Sequence, residues 1–398
     1  MEHFEKKISI VGIGMDGEAT LTQAGQRAIE AAGVLIGGSE RLLQPFRHLG
    51  KQEYISYRPA AVIRECDYQK IVVLVSGDVG FYSVAETLLP QLTGYEVEVI
   101  CGISTPIYFC AILHLSWSKL HFISLHGAKD NIVRNVCAHE YTFFLLGGDI
   151  TPAAICRRLC EYGRGELTVH VGENFGSPDE RVTSSRAEEL ADYPSQRLCA
   201  VIVENPHYER FVPCGIDDSE FVRGKVPMTK AEVRALCVAK LAIGAGDCCW
   251  DIGCGTGSVS VEMALQCTNG TVFSVDKKAE AVALTEANRK KFGCDNIEIF
   301  HSTVEEAIET LPAPDCVFVG GSSGSLDEVI RAAAAKNPHV KIVVTAVSLE
   351  TLQQCTTIFD MLGFESEITQ IAVTRTRKVG SHTMLSAENP IVIIKRKC

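Results

Sequence analysis

Neither half of this chain carries an excess of positive charge. Over 398 residues the formal net charge is −11. Residues 1–210 hold 19 Lys and Arg against 26 Asp and Glu, and the remainder holds 19 against 23. Neither half offers the cationic field that a nucleic-acid backbone attracts, so no nucleic-acid partner is expected. An anionic small molecule would have to be met by local cationic pockets. Long apolar runs are also missing. None approaches the roughly 18 residues of a membrane-crossing helix, so no membrane partner is expected. The opening MEHFEKKISIVGIG runs straight into a strand pattern without the apolar core of a secretion signal. No CxxC pair occurs among the 17 cysteines, and the nearest approach to one is Cys156 and Cys160. The cysteines sit in apolar runs such as LCAVIV and DCCWDIG. They read as reduced, buried, small apolar residues of a cytoplasmic protein, with no metal site. Internal repeats and low-complexity segments are absent too.

What is present is an alternation of short Val- and Ile-rich runs with helical patterns. Strands are expected at 8–13, 34–36, 71–75, 96–100, 121–125, 142–146, 167–171 and 198–203. In LTQAGQRAIEAAG, Leu21, Ala24, Ala28 and Ala32 share one helix face, with Thr20 or Thr22 as N-cap. The segment Asn205–Pro227 carries three prolines and little periodicity, and the domain junction is expected there. The pattern restarts at TKAEVRALCVAKLAI, where Thr229 and Glu232 have capping-box spacing. Further strands are expected at 248–252, 272–275, 297–300, 316–319, 341–345, 367–373 and 391–394. The last two have no helix between them, which suggests an antiparallel hairpin at a sheet edge. The fold class is α/β, with domains at 1–210 and 211–398.

The strongest local motif is DCCWDIGCGTGSVSVEMA. A strand ends near Asp251, then Gly253, Gly255 and Gly257 follow, and a helix begins near Ser258. Glycines are required where a ligand approaches the backbone closely. The next strand ends in Asp276, 19 residues after Gly257. An acid there can accept both hydroxyls of a ribose. There is no P-loop lysine. The alternatives are a bare strand-to-helix turn or NAD, but the GxGxG spacing differs from the dinucleotide GxGxxG. In the first half, VGIGMDG (Gly12, Gly14, Gly17), VSGDVGFYS (Gly77, Asp78), CGIST (Ser104, Thr105) and SLHG all follow strand ends. Open α/β sheets place their ligands at such ends.

Two resemblances give these loops a function. The run PMTKAEVRAL, WDIGCGTGSVSVEMA, NRKKFG, DCVFVGGSSG, TAVSLETL and NPIVII resembles the decarboxylating precorrin methyltransferase domain called CbiT, across residues 212–398. The resemblance implies a Rossmann-like class I fold that binds S-adenosylmethionine (SAM) through Thr229, Gly253, Cys254, Gly255, Thr256, Gly257, Asp276 and Thr303. That family usually has GDAP where this chain has HSTV at 301–304. In the first half, IVGIG, GGSERLL, VLVSGDVGFYS, VICGIST, SLHG, ENFGSPDERV and VIVEN resemble the tetrapyrrole methylase family, of the CbiE type, across 7–205. That family is a class III methyltransferase of two α/β subdomains. The resemblance implies a SAM site at Gly12, Gly14, Gly77, Asp78, Phe81, Ser104 and Thr105. The chain has Val79 where Pro is common and Ala128 where Arg often stands. The order of the halves is similar to the CobL-type fusions. The implied chemistry is methylation of a polycarboxylated tetrapyrrole at carbons 5 and 15, with decarboxylation of the ring-C acetate, in cobalamin biosynthesis. The implied cofactor is SAM, and a homo-oligomer is expected.

No nucleophile is required, because the sulfonium of SAM is already activated, and no Ser-His-Asp or Cys-His pattern is present. Candidate cations for substrate carboxylates are Lys230, Arg234, Arg375 and Arg377, with Lys378 and His382 nearby. The run RTRK reads equally as a solvated strand end. His126 and His301 stand at strand ends, as surface groups or as acid–base groups. The alternatives in function are a SAM-dependent methyltransferase of protein or nucleic acid, and a non-catalytic SAM-binding protein.

Overall fold

The computed structural model describes residues 6–125, 131–147, 149–196, 198–209, 212–320 and 324–397. The chain separates into two compact units. Met1–Gly127, Tyr141–Ala153 and Thr168–Val203 form the first, and Ala128–Glu140, Ala154–Leu167 and Glu204–Cys398 form the second.

The first unit contains two five-stranded sheets. Strands β1 (Lys7–Gly12), β2 (Val34–Gly37), β3 (Gln52–Ile55), β4 (Lys70–Val75) and β5 (Glu96–Ile100) make the first, in the order β3-β2-β4-β1-β5 and parallel throughout. β1, β2 and β4 are buried on both faces, which is why they read as unbroken apolar runs. Strands β6 (Leu120–Ser124), β7 (Tyr141–Leu145), β8 (Thr168–Glu173), β9 (Arg181–Arg186) and β10 (Cys199–Glu204) make the second sheet, in the order β6-β7-β10-β8-β9. β3 and β9 escape the sequence reading because both are polar edge strands with little alternation. The helix Gln23–Ala31 starts as expected, with the Thr22 hydroxyl accepting the Gly25 N–H at 3.1 Å.

The second unit is built on a seven-stranded sheet. Its strands are β11 (Cys248–Ile252), β12 (Thr271–Asp276), β13 (Ile297–His301), β14 (Cys316–Gly320), β15 (Lys341–Ala346) and β16 (Ser366–Ile371). A separate two-stranded ribbon, β17 (Thr374–Val379) with β18 (His382–Ala387), comes before the last strand, β19 (Ile391–Arg396). The order is β13-β12-β11-β14-β15-β19-β16. β19 runs antiparallel to both β15 and β16, so the expected terminal hairpin exists, with a ribbon inserted into its connection. Two apolar layers cover the sheet, one around Trp250, Val317 and Phe359, the other around Cys249, Met263 and Phe318.

The capping box expected at Thr229 and Glu232 is not formed. The helix Ala231–Leu241 starts after Lys230, with no side-chain cap. Glu232 pairs instead with Arg375. The capping box of this unit is at Thr303 and Glu306. No helix among the described residues is long and apolar enough to cross a membrane.

Candidate functional site

In the first unit the ends of β1, β4 and β5 are drawn together by glycine. A Cβ on Gly12 would lie 2.7 Å from the Gly77 carbonyl oxygen and 2.8 Å from the Gly102 nitrogen. Side chains at these positions would drive the loops apart. Gly14 and Gly77 exchange backbone hydrogen bonds at 3.0 and 3.1 Å. Asp78 ties the loops further, accepting the Gly80 N–H on Oδ1 and the Gly102 N–H on Oδ2, each at 3.0 Å. Ser104 is buried. The Thr105 hydroxyl lies 3.6 Å from the Met15 sulfur, and Met15 also approaches Gly77. Phe81 turns into an aromatic cluster with Phe122 and Phe143. The loops named in the sequence therefore converge, and Gly102 is a member that sequence reasoning passed over although it stands in CGIST. A cavity of about 490 Å³ opens beside them, with Gly14, Met15, Asp16, Arg41 and Gly176 on its wall. His126 and Ala128 lie outside the described residues.

In the second unit β11 delivers the chain into the glycine loop, and the helix Ser258–Gln266 leaves it. Gly255 has φ +58°, and its Cβ would sit 3.0 Å from the Pro227 carbonyl oxygen. Gly257 serves packing: its Cβ would meet Thr285 at 2.8 Å. Asp276 at the end of β12 accepts the Gly255 N–H at 3.1 Å and the Lys278 N–H at 2.9 Å. It thereby fixes the loop while facing a cavity of about 270 Å³. Thr303 lies on the same cavity. Its hydroxyl accepts the Glu306 N–H at 3.4 Å, so the side chain caps the helix Val304–Thr310. A larger cavity of about 480 Å³ adjoins, sharing Pro227, Gly253, Gly255 and Gly320 with the first. Thr229, Lys230, Cys254 and Thr256 line the larger one, with Thr345, Glu388 and Asn389.

Two polar atoms in this cleft lack partners. Asp251 is fully buried and lines the larger cavity. Its Oδ2 accepts the Ser260 hydroxyl, and its Oδ1 has no partner among the described residues. Burial pushes its carboxyl up to about 7, with a smaller contribution from Asp276, against the lowering effect of Ser260. The Thr256 hydroxyl, 1% exposed, is likewise unpartnered. Buried polar groups normally have partners, so an acceptor and a hydroxyl left open beside a glycine loop fit the ammonium and carboxylate of a ligand's amino-acid arm. Sequence reasoning missed Asp251, although an acid two residues before the first glycine was its signal.

The cationic candidates separate. Lys230 lines the larger cavity, with Nζ 3.4 Å from Asp218. Arg234 lines none of these cavities. It is fully buried, and its guanidinium engages Glu262 at 2.5 Å, the Thr229 carbonyl at 2.6 Å and the Ile216 carbonyl. Its assignment to substrate is therefore corrected. Arg375 on β17 is held by Glu232, by Glu388 at 3.0 Å and by Asp218 at 3.8 Å. Arg377 and Lys378 are exposed on the ribbon and line none of the cavities described here, as is true of His382. Arg377 thus stands on a solvated ribbon face, apart from these cavities. His301 is exposed at the end of β13. No cluster of His, Cys, Asp or Glu among the described residues could hold a metal ion.

Both units are α/β, and each carries a glycine-lined cleft at its strand ends. Residues 7–191 match the model of the tetrapyrrole (corrin/porphyrin) methylases, and residues 220–397 match that of the precorrin methyltransferase domain. A probable cobalt-precorrin-6B C(15)-methyltransferase (decarboxylating) of Pyrobaculum calidifontis is 42% identical over 183 residues, covering 45% of this chain and 94% of that one. A precorrin-6Y C(5,15)-methyltransferase (decarboxylating) of a Sinorhizobium species is 29% identical over 354 residues, 86% of this chain and 85% of that one. A crystal structure of precorrin-6Y C5,15-methyltransferase from Geobacter metallireducens is 34% identical, covering 46% of this chain and 96% of that chain, with a TM-score of 0.44. This chain belongs to the family of decarboxylating precorrin methyltransferases, which use SAM as methyl donor.

Proposed function

We propose that the chain methylates a precorrin, metal-free or cobalt-bound, at carbons 5 and 15 and decarboxylates the acetate on ring C. The first unit acts at carbon 5, and the second acts at carbon 15 and removes the carboxyl. The observation that carries this reading is the alignment of both halves, in order, with one C(5,15) decarboxylating relative, together with a glycine-lined cleft in each unit. The two activities are assigned to sequence domains 1–210 and 211–398, although Ala128–Glu140 and Ala154–Leu167 group with the second compact unit.

SAM supplies an activated methyl group, and the protein's task is alignment and exclusion of water. In the second unit Gly253 to Gly257 form the cradle, with Asp276 for a ribose and Thr303 nearby. Asp251 and Thr256 hold the amino-acid arm. Lys230 meets a substrate carboxylate at the rim of the larger cavity, assisted by the polar Thr345 and Asn389. In the first unit Gly12, Gly14 and Gly77 form the cradle, Asp78 keeps it shut, and Ser104 and Thr105 present the next strand end. Decarboxylation breaks the bond between the acetate's methylene and its carboxyl, releases carbon dioxide, and sends the electron pair into the conjugated macrocycle, where one proton from solvent is taken up.

The protein is read as a cytoplasmic homo-oligomer. The cysteines support the first point, since they lie in apolar runs and Cys110, Cys237, Cys249 and Cys355 among them are buried. The second is offered on the ribbon, where the neighbouring Met384 and Leu385, on its opposite faces, are 55% and 77% exposed. The test of the activity is incubation with metal-free and cobalt-bound precorrin-6B, read by mass spectrometry. Two methyl groups gained and one carbon dioxide lost is the expected result. Unchanged substrate of both kinds refutes the proposal.

A further inference from the structure

The segment between residues 212 and 230 contains no strand, yet it forms a wall of both cavities in the second unit through Val226, Pro227, Met228, Thr229 and Lys230. A strap without a ladder must have its backbone groups satisfied in another way. Three buried side chains from outside the strap do so. Glu262 accepts the N–H groups of Gly215 and Ile216, both at 3.0 Å. Arg234 donates to the carbonyls of Thr229, at 2.6 Å, and Ile216. Asn288 accepts the Val222 N–H at 2.8 Å and donates to the Val222 carbonyl at 3.0 Å. The same amide donates to the Thr256 carbonyl at 2.8 Å, so it joins the strap to the glycine loop. All three residues are fully buried, and Arg234 and Glu262 are paired at 2.5 Å.

A buried ion pair is a weak source of stability, because desolvation offsets its attraction, and apolar replacements are often neutral. It does fix geometry. Every described side-chain hydrogen bond of this pair outside the pair itself goes to the strap, including the 3.4 Å contact of Arg234 with Asp218. The strap's Pro227 carbonyl in turn stands over Gly255, at 3.0 Å from where a Cβ would be.

We propose that Arg234, Glu262 and Asn288 are positioning residues that hold the strap 215–229 as the roof of the second cofactor cleft and thereby set its affinity for SAM. The proposal rests on the reading of that cleft as a SAM site. It also explains why a basic residue near the glycine loop is turned away from the substrate cavity.

The experiment uses the full chain and two variants, Asn288→Ala and the double replacement Arg234→Met with Glu262→Leu. Apolar substitution of the pair keeps the volume filled, and a strap released toward water recovers its backbone hydrogen bonds there, so the double variant is expected to stay folded with a lowered unfolding temperature. The KM for SAM in carbon-15 methylation is expected to rise at least about tenfold in both variants, with a smaller change in kcat. Carbon-5 methylation is expected to be unchanged. A folded double variant, or a folded Asn288→Ala, with wild-type KM for SAM would overturn the proposal and leave the three residues as packing. If calorimetry on the wild-type chain finds no SAM bound in the second unit, the cofactor reading fails first, and the roof has no cofactor to hold. That result is distinguishable from loss of binding in the variants alone.

Discussion

Cofactor binding in the second unit is expected to be linked to a proton through Asp251. Its carboxyl is fully buried, has one open oxygen, and is pushed up to about 7 from 3.8. That rise corresponds to roughly 4 kcal/mol in favour of the neutral form relative to water. The folded-state value lies above the unfolded one. The neutral acid's contribution to stability is therefore fully present below about pH 4 and is lost as pH rises through about 7. A cationic ammonium on Oδ1 reverses the preference, so SAM is expected to bind the carboxylate form. Below pH 7 each binding event then releases close to one proton, and affinity falls toward tenfold per pH unit. Above about pH 8 both effects vanish. Calorimetry at pH 6 and pH 8.5, each in two buffers of different ionisation enthalpy, reads the proton directly. The Asp251→Asn variant should bind more weakly and without pH dependence. Binding to the second unit that releases no proton at pH 6, or an Asp251→Asn variant with the wild-type pH profile, would refute the reasoning.

Other perturbations test other parts of the structure. Gly255→Val places a β-branched residue at φ +58° with its Cβ against Pro227, and is expected to abolish carbon-15 methylation while carbon-5 methylation persists; retention of both reactions would refute the loop assignment. Asp78→Ala removes two hydrogen bonds between the loops of the first unit, and a selective loss of carbon-5 methylation with SAM affinity reduced about tenfold should be seen in a product-resolved assay. Arg375→Ala breaks half-exposed ion pairs and should cost at most about 1 kcal/mol in denaturant unfolding, while Arg377→Ala should change neither stability nor SAM affinity. A large loss of substrate affinity in Arg377→Ala would return that residue to the substrate site.

The sequence by itself determined the α/β class, nearly every interior strand and the loops that carry the clefts. Their signals are local. A doubly buried strand such as β4 must be an apolar run, and a chain reversal tight enough to admit a ligand at Gly255 must use glycine. The polar edge strands β3 and β9 and the ribbon β17–β18 were not legible, because strands with no buried face leave no periodic signature. Side-chain partners were decided only by the tertiary structure. Arg234 and Arg375 are both basic residues of this half, yet one is closed in with Glu262 and the other bridges to Glu232, 143 positions away. Thr229 and Glu232 have the spacing of a capping box, but Glu232 is drawn to Arg375, and Thr303 with Glu306 forms the box instead. Asp251 is one aspartate among many in the sequence, and the packing around β11 makes it buried and half-unpartnered. Backbone geometry is set by neighbours along the chain, whereas burial and charge pairing are set by neighbours in space, and the latter exist only once the sheet has formed.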